Sequence, residues 1–310
     1  SGLDLFVAAI GGVVHRDAVF GTDVFLAYQG SSTRVIVGAP LRFDPNGLRA
    51  EDWDEVADFG RIVAEASWTG LQGRVEARLG TVNGFTLGAG NLVSHFHSTV
   101  DPDHFRTGVT LHAHGDLIGV DAFLDSFVDP QVLGGRWFVR PFWPVSSRGF
   151  LGRLEVGCTL TGDLAAPVAW HHLVSGPVRM TDHGLPQSST EGLVGAGVDL
   201  RWMVVHTSSV DVTPYGAWSL FDRGTGVHVG LGVDVRPTHE LRFGVLGEWK
   251  RLGDHYVSPG FDTLYMAERH AFGSKPRLAA VRELLDARDG LRLGLSMAWK
   301  DRFSWWTLVD

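Results

Sequence analysis

The chain has a single cysteine, Cys158, among 310 residues, which excludes an intrachain disulfide framework. It also lacks any apolar run of roughly 18–20 residues, so no segment reads as a membrane helix. Basic residues are in deficit, with Lys+Arg 27 against Asp+Glu 35 and a net charge of −8. They never gather in a run, which argues against a nucleic-acid surface. No G-x-S-x-G motif occurs, and no Ser-His-Asp set is fixed by spacing, so nothing points to a hydrolase nucleophile. No leader with a charged start and an apolar centre opens the sequence. Ser1-Gly2 runs straight into Leu3-Asp4-Leu5-Phe6-Val7, as in a mature or trimmed chain.

Alternation at a period of two is what the sequence has in quantity. Between Gly226 and Lys250, Val227, Val229, Leu231, Val233 and Val235 alternate with His228, Gly230, Gly232, Asp234 and Arg236. After Pro237-Thr238-His239, Leu241, Phe243, Val245 and Trp249 alternate with Arg242, Gly244, Glu248 and Lys250. Leu246 and Gly247 are the two lapses. Such spacing puts one oily face on each strand of a hairpin. Strands of about nine or ten residues are long enough to cross a bilayer at a tilt. The opposite face is half glycine and half charge, which suits the crowded, wet interior of a barrel. Leu291, Leu293, Leu295, Met297 and Trp299 repeat the pattern against Arg292, Gly294, Ser296, Ala298 and Lys300. Cys158 falls on an apolar face with Leu154, Val156 and Leu160, where an inert thiol is expected.

The expectation is therefore an all-β fold: a single closed antiparallel transmembrane β-barrel over residues 1–310, of about 14–18 strands with 16 favoured. Strands are expected at 85–97 and 106–114 among others, with Asn83-Gly84 as a hairpin turn. Within the first of these, Leu87-Gly88-Ala89-Gly90 offers small residues that let backbones approach closely or fold a segment into the lumen. Two strand-poor stretches, 164–191 and 251–276, read as long external loops. An even number of strands separates them, which places both on one side. Helical spacing of Leu278, Val281, Leu284 and Leu285 makes that stretch ambiguous. Residues 44–58 read as an acidic loop or short helix, whose Asp52, Asp54, Glu55 and Asp58 could hold a divalent cation or simply meet solvent.

The chain resembles the outer-membrane β-barrels of Gram-negative bacteria, porin-like in the broad sense. Its segments Trp53-Asp54-Glu55 to Asp58-Phe59 and Leu87-Gly88-Ala89-Gly90 are similar to poorly characterised members of that group. The resemblance implies residence in the outer membrane, lipid as a neighbour and insertion by the outer-membrane assembly machinery. Such barrels usually end on an aromatic residue, whereas this chain ends Trp305-Trp306-Thr307-Leu308-Val309-Asp310.

The lumen-lining candidates are Arg74, Arg78, Arg136, Arg140, Glu155, Asp199, Arg201, Asp234, Arg242, Glu248 and Arg292. They read both as a ladder of ion pairs and as a lining that sets ion preference, with arginine in excess favouring anions. His95, His97, Asp101, Asp103 and His104 form a candidate metal site at the rim, since imidazole and carboxylate suit zinc or copper. His112 and His114 are a second pair two residues apart. In a hairpin with 85–97, Asn91 would stand opposite His112, some 13 Å from the first pair. The expected function is a channel or export pore for a hydrophilic solute or polymer, with no catalysis, no cofactor and no nucleic-acid partner. The alternatives are a closed, non-conducting barrel with a structural or surface-interaction role, and a barrel-embedded hydrolase.

Overall fold

The computed structural model describes all residues except 1, 15–16, 46, 50–51, 54–55, 100–104, 148, 173–175, 182–184, 272, 301–302 and 310. The strands are β1 (Gly2–Val14), β2 (Asp17–Gln29), β3 (Thr33–Asp44), β4 (Gly47–Leu48), β5 (Val63–Gly70) and β6 (Val75–Gly80). Then come β7 (Gly108–His114), β8 (Ile118–Leu124), β9 (Val132–Val139), β10 (Leu154–Trp170), β11 (Ser188–Trp202) and β12 (Val205–His206). The last are β13 (Val210–Phe221), β14 (Gly224–Thr238), β15 (Leu241–Leu252), β16 (Arg288–Trp299) and β17 (Phe303–Val309). Three short helices, α1 (Trp143–Ser146), α2 (Tyr265–Glu268) and α3 (Arg277–Arg282), lie in connections.

All seventeen segments join one sheet, and each pairs antiparallel with its neighbour in sequence. The two-residue β4 and β12 carry on the lines of β5 and β11 against β3 and β13. Among the described residues no ladder joins β17 back to β1, so the backbone pairing is an up-and-down meander from first strand to last.

Register sorts the side chains cleanly. Val229 stands opposite Trp249, and Trp249 opposite Leu291; they are 54%, 41% and 69% exposed. On the other face, His228 is opposite Lys250 and Glu248 is opposite Arg292, and all four are buried. An apolar face left open and a charged face closed inverts a soluble protein, and it is what a hydrocarbon solvent demands. Cys158 is on the open face. Aromatic side chains mark two levels on it. Tyr28, Trp68 and Trp299 lie near one end of their strands, and Phe20, Phe43, Trp218 and Trp249 near the other, all exposed. Amphipathic rings at both rims are the interfacial girdles of a membrane barrel.

The two ends differ in their connections. One carries the turns at 30–32, 71–74, 115–117 and 239–240, and the connection 140–153. The other carries 45–62, 81–107, 171–187 and 253–287. Residues 164–170 belong to β10, so the strand-poor reading of 164–191 began too early. Pro167 misled it: a register shift at Pro167/Ala169 admits the ring without ending the strand. The expected strand at 85–97 is absent. β6 ends at Gly80, β7 begins at Gly108, and the described residues from 82 to 98 fold inward.

The face assignment makes a quantitative expectation. Leu293 is opposite Gly247, itself opposite Leu231, near the middle of three strands. Leu293→Arg should cost about 2–4 kcal/mol in a bilayer refolding titration. Ser296→Arg, on the lumen face, should cost much less; equal penalties at both sites would contradict the assignment.

Candidate functional site: the lumen and its infolded segments

Two long connections build an apolar body against the inner wall. From 81–107 come Leu87, Leu92, Val93 and Phe96, each at most 1% exposed, and Phe85. From 253–287 come Tyr256, Phe261, Tyr265 and Leu278. These pack with inward residues of the wall, Phe123, Val132, Ala166, Leu193, Phe221 and Leu252. Backbone pairing ties the segments together: the Phe261 amide donates to the Leu92 carbonyl at 2.8 Å, and the Ser94 amide to the Phe261 carbonyl at 3.0 Å. The Ser258 hydroxyl donates to the Asn91 carbonyl at 3.1 Å. The second expected external loop is therefore corrected in part, because Tyr256, Phe261 and Tyr265 bury instead of facing water.

Charges anchor this body where it meets the wall. Asp163 accepts from the Tyr265 hydroxyl at 2.8 Å and from the Arg269 guanidinium at 2.9 Å, and Arg269 also donates to Gln131. Burial pushes the Tyr265 phenol well above its usual range, with the Asp163 charge adding to the effect. On the first segment the backbone of Gly88 lies over a buried ion pair of the wall, Arg136 with Asp199. A Cβ at Gly88 would stand 2.8 Å from Arg136 Nε, and its φ of +58° suits glycine. The small residues of Leu87-Gly88-Ala89-Gly90 thus serve a close approach.

The lumen-lining candidates fall into separate groups. Arg136 spans β9 to β11, bonding Asp199 at 2.9 and 2.6 Å and Glu155 at 2.7 Å. Arg140 reaches Glu155 at 3.3 Å. Glu248 accepts from the Tyr215 hydroxyl at 2.7 Å and contacts His228 at 3.3 Å and Arg292 at 3.8 Å. Arg78 pairs with Glu65 at 3.0 Å, Arg242 with Asp234 at 2.9 Å, and Arg74 with Asp116 at 3.1 Å. Arg201 lines a cavity of about 630 Å³ at the short-turn end, with Arg140, Arg153, His114, Asp121 and Trp143.

The acidic stretch is closed by arginine. Asp52 is buried and holds Arg42, Arg49 and Arg61 at 3.0, 3.2 and 2.8 Å, while Asp58 holds Arg61 at 2.8 Å. The guanidinium groups hold Oδ1 of each carboxylate and both acids are buried, so the solvated reading does not describe these two acids. Asp54 and Glu55 lie outside the described residues.

Of the expected rim site, Asp101, Asp103 and His104 lie outside the described residues. His95 and His97 sit on the infolded segment, and burial lowers both imidazole pKa values; the Arg292 charge lowers His95 further. With the 85–97 strand gone, Asn91 does not face His112. Asp121 does, across the β7–β8 ladder, a neighbour the sequence offered only through pairing two adjacent strands.

No protein-family model and no curated protein matches the sequence. Among solved structures, the chain is similar to in-vitro folded OmpT, an outer membrane protein of Vibrio cholerae, at 10% identity over 99% of this chain and 85% of that one, with a TM-score of 0.38. It is similar to an anion-selective porin from Comamonas acidovorans at 10% identity, over 91% and 82%, with a TM-score of 0.37. It is also similar to the outer membrane channel DcaP of Acinetobacter baumannii at 10% identity, over 99% and 90%, with a TM-score of 0.34. The class rests on this chain's own geometry: an up-and-down antiparallel sheet, an open apolar face with two aromatic levels, and a buried charged face. It is an antiparallel β-meander with the side-chain sorting of a membrane-embedded barrel wall.

Removing one member of the Arg136 group should show how far the lumen relies on it. Arg136→Ala leaves the buried Asp199 carboxylate without its guanidinium, at a cost of about 3–5 kcal/mol. Arg78→Ala, whose partner side of the lumen is wetter, should cost under about 1 kcal/mol in the same denaturant titration.

Proposed function

We propose that the protein is an outer-membrane channel for small hydrophilic solutes, whose passage runs down one side of a partly filled lumen. The observation that carries this reading is the unequal filling of the interior. Away from the short-turn mouth, the infolded segments and the Arg136 group bury the inward residues of β8 to β13. Inward charges elsewhere stay wet: the side chains of Arg78 and His112 are 41% exposed, and that of Arg242 is 57% exposed. Water beside those groups, and the 630 Å³ cavity at one mouth, provide the start of an aqueous path.

On this reading β17 lies against β1 and closes the wall, since an open edge in hydrocarbon would leave backbone donors and acceptors unpaired. The end with the long connections faces outward and the short-turn end faces the periplasm. Lipid surrounds the apolar face, and the assembly machinery inserts the barrel. Most inward arginines already hold carboxylates, so selectivity is left to the cavity at the short-turn mouth. There Arg201, Arg140 and Arg153 line the cavity together with two acids, Glu155 and Asp121, and favour anions modestly.

The second reading, a closed barrel with a structural or interaction role, is favoured by the completeness of burial at Leu87, Leu92, Val93 and Phe261, all 0% exposed. Planar-bilayer recording separates the two. The channel reading expects steady current with a small anion preference, weakened by Arg201→Ala and by high salt. A folded, inserted barrel that carries no current would leave the closed reading in its place.

A further inference from the structure

One cluster of metal-ligating side chains stands apart from the ion pairs. His112 and His114 project from the same face of β7, and Asp121 projects from β8 opposite His112. Both rings reach one oxygen: His112 Nδ1 is 2.7 Å and His114 Nε2 is 2.6 Å from Asp121 Oδ1. One ligand atom from each residue lies within 4.8 Å of the other two. Around zinc, ligands at about 2.0–2.1 Å in a tetrahedral arrangement are roughly 3.3 Å apart. Small side-chain rotations therefore convert this cluster into a three-ligand shell.

We infer that His112, His114 and Asp121 form a binding site for a divalent transition-metal ion of the zinc class, set in the lumen wall. Two imidazoles and one carboxylate are donors of the right softness for such an ion, and a poor set for calcium or magnesium. The rings are already held from behind. Phe85 of the infolded segment packs on His112 at 5.2 Å, and Phe138 meets His114 edge-on at 5.1 Å. That restraint limits the freedom lost on binding. The fourth position is open: His114 and Asp121 line the 630 Å³ cavity, which supplies water or a solute donor.

Charge around the cluster is mixed, with Arg140 and Arg201 on the same cavity and an acid beside the rings. Glu76 stands opposite His112 on the β6 side. Arg136 stands opposite Asp121 on the β9 side, yet its guanidinium is already matched by Asp199 and Glu155. The cluster thus keeps Asp121 and Glu76 as acids beside two neutral-capable imidazoles. A bound ion would displace the protons now shared between the rings and Asp121 Oδ1. The site does not depend on whether the barrel conducts.

The test uses the full chain refolded in detergent, stripped with chelator and titrated calorimetrically with Zn²⁺ alone. One ion per chain is expected. H112Q, H114Q and D121N should each weaken binding by more than the roughly 10–100-fold that loss of an outer partner costs, while an H95Q/H97Q double variant should bind as the parent does. Absence of uptake, uptake indifferent to all three substitutions, or loss in the H95Q/H97Q variant would each overturn the inference. The unsubstituted barrel gives an independent readout that does not rely on variants folding. Co²⁺ should produce the visible bands of a four-coordinate nitrogen–oxygen site that Zn²⁺ abolishes. The spectrum of hexaaqua Co²⁺ alone would count against the site.

Discussion

Every backbone amide that faces hydrocarbon must find its partner within the protein, because lipid offers none. That constraint selects the sheet, and the sheet imposes its period of two on everything else. Outward positions then have to be apolar: Val229, Leu231, Leu293 and Leu295 are, although each is at least 45% exposed. Inward positions are released from that demand and inherit the opposite problem. They enclose a volume that water, side chains or a folded segment must occupy.

This chain fills much of that volume with protein. The inner face supplies charges, and those charges are expensive to bury unless they are matched. Arg136 with Asp199 and Glu155, and Arg269 with Asp163, meet the requirement by bonding across strands and onto the infolded segments. The aromatic and aliphatic residues of 81–107 and 253–287 then pack over those pairs. Apolar burial and ion pairing depend on each other here. A guanidinium without its carboxylates would eject the cover, and the cover keeps water from screening the pair.

The outward face was legible from the sequence because hydrocarbon leaves no exceptions, so Leu291 to Trp299 and Val227 to Val235 alternate without a break. The infolded segments were far less so. Residues 85–97 mix Phe85, Leu87 and Phe96 with glycine, and a buried irregular loop and a weak strand share that composition. What distinguishes them is a contact with Phe261, far away in sequence. The helical spacing near Leu278 was a true signal, realised as α3, but the spacing alone gives no hint that the helix packs inside a barrel. Strand limits were blurred wherever inward and outward faces both carry small residues, as around Pro167. The inward charges could be named from alternation, but not their partners. Asp199 and Arg136 are brought together only by the order of β9, β10 and β11.

The candidate site shows the same division between local pattern and pairing. Two histidines two residues apart on a strand are visible to anyone reading the chain, and they carry little meaning alone. Register supplies the third donor, since β7 and β8 are joined by three residues and Asp121 must then fall opposite His112. Aromatic neighbours come from two different sources, the wall at Phe138 and the infolded segment at Phe85. The cluster therefore sits at the seam between the fixed barrel and the body packed inside it. Whatever shifts that body moves the ring of His112, and whatever fixes His112 restrains Phe85. Because the wall cannot bend without breaking its ladder, a ligand held by His112 would act on the infolded segment through Phe85.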